Sequence, residues 1–160
     1  MRRLLAACLA FACATPAHAE WQGFKWGMKE RQVESAKSDV EVYRLEEPRS
    51  WRMRPITSTV GGAWSHNGHK YELFFFFNEK GRLELIELEP AGLECRDTLT
   101  AFSERFGKSE EEVTSLGPAK RTVARWQLGE DAVLTTLVLH FPNSDEWTCK
   151  STIREPFSKR

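Results

Sequence analysis

The sequence has no excess of either charge, few cysteines, and no long apolar run beyond its first twenty residues. Lysine and arginine total 23, as do aspartate and glutamate. Such a balance leaves no electrostatic footprint for nucleic acid. No internal stretch approaches the roughly 20 apolar residues that a membrane-spanning helix needs. CxxC, HExxH and zinc-ribbon spacings are absent, which disfavours a structural metal cage. No GxSxG elbow marks a nucleophilic serine, and nothing in the residues asks for a cofactor.

What is present begins with a leader. Arg2 and Arg3 form a basic start, Leu4 to Ala14 an apolar stretch too short to remain in a bilayer, and Pro16 breaks it before Ala17-His18-Ala19. These features predict a secretory signal peptide over residues 1–19, cleaved after Ala19, and a periplasmic or secreted product. Leu5-Ala6-Ala7-Cys8 has the outline of a lipobox, but only four apolar residues precede Cys8. Cys13 is better spaced, yet Ala10-Phe11-Ala12 before it matches poorly, so the cleaved leader is preferred to a lipid anchor.

Cleavage would leave a single domain over residues 20–160 with no integral membrane segment. It would carry 21 basic against 23 acidic side chains, and Cys95 and Cys149 as its only cysteines. Two cysteines in an exported chain predict one disulfide.

Periodicity predicts two helices. Val33, Ala36 and Val40 lie on one stripe of a helix over about Lys29 to Ser38. Cys95, Leu99, Phe102 and Phe106 repeat at i, i+4, i+7 and i+11, with Gly107 placed to end that helix. Tyr71 to Phe77 and Arg82 to Leu88 form a hairpin around Asn78-Glu79-Lys80-Gly81. Leu83 and Leu85 have one parity and Ile86 and Leu88 the other, so a β-bulge is expected near Leu85 and Ile86. Thr122–Leu128, Ala132–Phe141 and Trp147–Ile153 read as three more strands. From Glu46 to Lys70 the pattern is less regular. Thr57 to Val60 and Ala63-Trp64 look extended about a Gly61-Gly62 bend, and Asn67-Gly68 suits a tight hairpin turn. The fold expected is α+β: two tandem helix-then-strands units sharing a largely antiparallel sheet, with the helices on one face.

Phe24-Lys25-Trp26-Gly27-Met28, with Val33 after it, resembles the opening of small bacterial periplasmic domains of unknown function. Phe102-Ser103-Glu104-Arg105-Phe106-Gly107 is similar to their second-helix end. More loosely, the order of elements resembles beta-lactamase inhibitory protein and the small lipoproteins of outer-membrane assembly. The resemblance implies a non-enzymatic binding domain of the envelope and carries over no functional residue. Lys29 departs from it, standing where a capping Ser or Thr is expected.

Candidate chemistry is sparse. Arg44, Arg49, Trp51, Arg52, Met53 and Arg54 mix cations with an aromatic and a thioether, residue types that favour a protein partner, an anionic glycan or lipid phosphates. The plainer alternative is an edge segment with Trp51 packed inward and its arginines in water. Trp64 and Trp126 would add a docking surface if they lay on an open sheet face. His66 and His69 would flank the Asn-Gly turn on one face and could begin a metal site, although no third ligand is evident. His140 reads as a strand residue with one polar contact. Glu84 with Glu87, and Glu110 to Glu112, read as solvated surface. The function expected is an exported binding or inhibitor-like module for an envelope protein. The alternatives are a small secreted enzyme using His66 and His69, or a structural domain pairing its Phe74–Phe77 strands between subunits.

Overall fold

A computed structural model describes residues 20–66, 68–92 and 94–156. The expected leader, with Cys8 and Cys13, lies outside the described residues, as does Asn67 of the expected turn. The described residues start with a small ribbon, β1 (Glu20–Trp21) and β2 (Phe24–Lys25), followed by α1 (Glu30–Glu34). Next come β3 (Glu41–Ser50), β4 (Thr57–His66), β5 (His69–Phe77) and β6 (Leu83–Ala91). Helix α2 (Cys95–Phe106) precedes β7 (Glu110–Leu116), β8 (Ala119–Gln127), β9 (Val133–Phe141) and β10 (Glu146–Arg154). Strands β3 to β10 make one antiparallel sheet in the order β3-β4-β5-β6-β10-β9-β8-β7. Two four-strand meanders therefore join where β10 pairs with β6.

The fold is mainly β, which corrects the expected α+β class with helices on one face. The helices hold five and twelve residues, whereas the eight strands run for seven to ten each. Helix α1 stops at Glu34, well short of Ser38, and buries only Val33. Lys29 has no side-chain oxygen for its orphan N–H groups, and a helix this short gains little of its own stability. Two further strands, β3 and β7, tip the balance. Both are sheet edges with little buried surface, so neither shows the alternation that marks a strand in sequence.

Alternation on β5 explains the run of four phenylalanines. Phe75 and Phe77 enter a large core with Leu73, Val60, Trp64, Ile86, Trp126, Leu134, Ile153 and the helix residues Val33 and Phe102. Phe74 and Phe76 point the other way, into a second cluster with Ile56 and Leu85. A bulge keeps β6 compatible with both. Phe76 is opposite Leu85 and Phe77 opposite Leu83, leaving Glu84 as the extra residue, so Leu83 turns to the first core and Leu85 to the second. Since β4 and β6 flank β5, that strand has no free edge with which to pair between subunits.

Gly61 and Gly62 are not a bend, since β4 runs straight through them. Their missing side chains are used for packing. A Cβ on Gly62 would lie 2.7 Å from Val40 Cγ1 and 3.2 Å from the Phe75 ring, and one on Gly61 would lie 2.7 Å from the Tyr43 ring. Cys95 and Cys149 form a disulfide, with Cα atoms 5.5 Å apart, that ties the first turn of α2 to β10. At the other end of that helix, the Trp126 indole N–H donates to the Gly107 carbonyl at 3.0 Å.

Candidate functional site

The arginine–tryptophan segment forms the closed end of the β3–β4 hairpin. Pairing jumps from Arg44 opposite Val60 to Arg49 opposite Ser58, so four residues of β3 face one of β4. That surplus curls the hairpin end out of the sheet plane, and residues 49–56 lie over the second core as a strap. The strap has internal bonds of its own. Trp51 N–H donates to the Ile56 carbonyl at 3.0 Å, and Ile56 N–H to the Arg54 carbonyl at 2.8 Å.

Side chains fasten the strap to the sheet at several points. The Trp51 ring meets Phe76 edge-on at 5.2 Å, and Lys150 of β10 places its ammonium 3.9 Å over the indole. Arg49 lies 3.7 Å over the Phe74 ring. Three carboxylates of β6 complete the attachment: Glu89 to Arg49 at 3.0 Å, Glu84 to Arg54 at 2.8 Å, and Glu87 to Lys150 at 2.5 Å. Glu84 and Glu87 are thus not idle solvated acids. Glu87 is 5 % exposed, and a buried carboxylate is tolerated because a cation meets it.

These pairings decide what the strap can bind. Arg44 is engaged by Glu30 and Glu34, Arg49 by Glu89, and Arg54 by Glu84. Their charge is neutralised locally, which argues against an anion-binding cluster for glycan or lipid phosphates. Arg52 has no ion-pair partner among the described residues, and its neighbour Met53 is 88 % exposed. Beside this tip, a cleft of about 340 Å³ is lined by Trp51, Arg52, Met53, Phe76, Glu87 and Lys150, among others.

The other expected site residues are elsewhere. Trp64 is 4 % exposed in the first core, against Trp21 and Tyr71, and Trp126 is 1 % exposed. Neither lies on an open sheet face, so the condition for a docking surface at these two is not met. His66 and His69 are opposite each other across the β4–β5 turn. Among the described residues no group of three His, Cys, Asp or Glu side chains is placed to hold a metal ion. His66 stacks on Trp64 at 5.6 Å. Its pKa is lowered from 6.5 by burial first, then by the nearby charges of Arg105 and His69. Burial likewise pushes the Tyr71 phenol up. His140 stacks on Trp147 at 3.8 Å with its Nε2 3.5 Å from the Asp145 carboxylate, which also accepts the Trp147 N–H at 3.1 Å.

Composition alone pointed to the strap but not to what holds it. Lys150 and the three glutamates of β6 were not expected there. The available signal was the alternation of Leu85, Glu87 and Glu89, which puts both acids on the face of the second core. No protein family, curated protein or solved structure matches the chain, so the reading of this site rests on its own residues.

Proposed function

We propose that this chain is an exported, non-enzymatic binding module, inhibitor-like in its mode, that engages an envelope protein through the tip of the 49–56 strap. One observation carries the reading: a loop tied down on both sides of its tip presents an Arg52 without an ion-pair partner among the described residues and a Met53 that is 88 % exposed. An anchored loop loses little conformational freedom on binding, so contacts made by its tip go largely into affinity. Arginine and methionine are both enriched in interface cores. The partner surface that complements this tip is an apolar pocket with a carboxylate at its rim.

The test is cross-linked capture of the tagged protein from intact cells, read by mass spectrometry, for wild type and the Arg52→Glu/Met53→Ala double variant. The double variant alters only side chains outside the folded contacts, so its melting temperature is expected to match wild type. Its capture of a stoichiometric envelope partner is expected to fall at least about tenfold, the equivalent of about 1.4 kcal/mol. Equal capture by both proteins would remove the strap from the interface. Turnover of a small substrate by the purified protein would overturn the non-enzymatic reading.

A further inference from the structure

The two ends of the main sheet are protected differently. Edge strand β3 is broken by its four-against-one irregularity and carries Pro48, two devices that stop another strand from adding there. Edge strand β7 has neither. All seven of its residues pair in unbroken register with β8, all seven are exposed, and Val113 and Leu116 are 54 % and 51 % exposed. Among the described residues no strand pairs with its outer edge. Only charge guards it, as Glu110, Glu111 and Glu112 fill its first half, and the second half (Thr114, Ser115, Leu116) is uncharged.

We infer that β7 is a self-association edge, pairing antiparallel with β7 of a second copy about a two-fold axis through Val113. In that register Glu110 faces the partner's Leu116, Glu111 its Ser115, Glu112 its Thr114, and Val113 its own equivalent. No two acids are opposed. Along the strands the two copies of Glu110, Glu111 and Glu112 are six, four and two residues apart, about 20, 14 and 7 Å at 3.4 Å per residue, plus the inter-strand spacing. The first two separations exceed the screening length of about 8 Å at physiological salt, and the third, about equal to it, involves the one glutamate of the three that arginines of β8 face. Parallel pairing would instead set each glutamate about 4.8 Å from its copy, so the charge pattern selects the antiparallel form.

Cations lie in the matching rows. Lys120 pairs with Ser115 and Arg121 with Thr114 on β8, so an incoming Glu111 is one strand beyond Lys120 and an incoming Glu112 one strand beyond Arg121. Glu112 is already partly neutralised in the monomer, 3.6 Å from Arg125 and 4.0 Å from Arg121. The product is an isologous dimer in which two eight-stranded sheets continue as one. Seven paired residues make an interface below the roughly 1,200 Å² of standard complexes, so the dimer is concentration-dependent.

Sedimentation equilibrium of the mature, oxidised protein tests this, from about 10 μM to about 1 mM, the span over which a weak dimer forms. Wild type is expected to move toward twice the monomer mass as concentration rises. Val113→Lys sets two ammonium groups face to face at the axis and is expected to keep the protein monomeric throughout. Ser115→Lys sets a cation opposite each partner Glu111 and is expected to dimerise more tightly than wild type, with the gain lost at high salt. Wild type that stays monomeric at the highest concentration overturns the inference. So does a dimer that Val113→Lys leaves intact, or one that Ser115→Lys weakens.

Discussion

Replacing Cys95 and Cys149 together by alanine tests how the second helix is held. The bridge closes a loop with a sequence separation of 54. The loop-entropy argument gives about 4 kcal/mol for a cross-link of that length. Domains of this size are stable by about 5–15 kcal/mol in all, so the bridge is a large share of the total. At about 2–4 °C per kcal/mol, the melting temperature is expected to fall by about 10–15 °C. Wild type unfolded in excess reductant should reach the same value, which serves as the control. The loss should also be uneven along α2. Its first turn buries Thr98 but otherwise depends on the bridge, whereas its far end keeps Phe102 in the core and the Trp126–Gly107 hydrogen bond. Amide hydrogen exchange is therefore expected to speed up most over 95–99 and least over 102–106. A melting shift below about 3 °C, under 1 kcal/mol or so by the same conversion, would refute the entropic estimate. Uniform loss of protection along the helix would refute the two-ended attachment.

Other substitutions probe the strap, the sheet and the turn. Trp51→Ala removes the contacts with Phe76 and Lys150 and is expected to cost about 2 kcal/mol, less than a fully buried tryptophan, and to open residues 49–56 to limited proteolysis. Lys150→Met should destabilise more than Glu87→Gln in chemical denaturation. It strands a buried carboxylate, whereas the substitution at Glu87 leaves an ammonium that is half in water. Gly62→Val should overpack this part of the core and cost about 1–3 kcal/mol in chemical denaturation, because even a Cβ meets Val40 at 2.7 Å. Folding lowers the His66 pKa, so the unfolded chain binds more protons there. This contribution costs stability as pH falls through 6.5 toward the lower folded value. Arg105→Gln should move the His66 midpoint up in an NMR titration, since Arg105 is one of the charges opposing protonation.

The parts of the fold legible in sequence are those where burial writes a period. Strand β5 places Tyr71, Leu73, Phe75 and Phe77 in the first core and β9 buries Leu134, Thr136 and Val138, both at alternate positions, and α2 shows the stripe of Cys95, Leu99, Phe102 and Phe106. The edges were not legible in this way. Every residue of β7 is exposed, so Glu110 to Glu112 read as surface, which they are, without disclosing that their backbone is paired. Gly61 and Gly62 gave a false bend because sequence does not distinguish a glycine that turns the chain from one that admits a neighbouring ring. At the site, the mixture of arginine, tryptophan and methionine was visible. Which arginines remain free was not, since Glu84 and Glu89 are 30 and 40 residues away along the chain.

The surplus residue at Glu84 has a consequence for how this sequence can change. Because side chains alternate, the single extra position in β6 sets which core Leu83 faces as the strand begins. Substitution at Glu84 forfeits an ion pair with Arg54 and leaves the register alone. Deletion of the same residue inverts Leu83, the first residue of the strand, relative to Phe77. Position 84 is therefore held more strictly by number than by kind: lineages of this protein can vary the amino acid there, while insertions and deletions should be confined to the loops on either side.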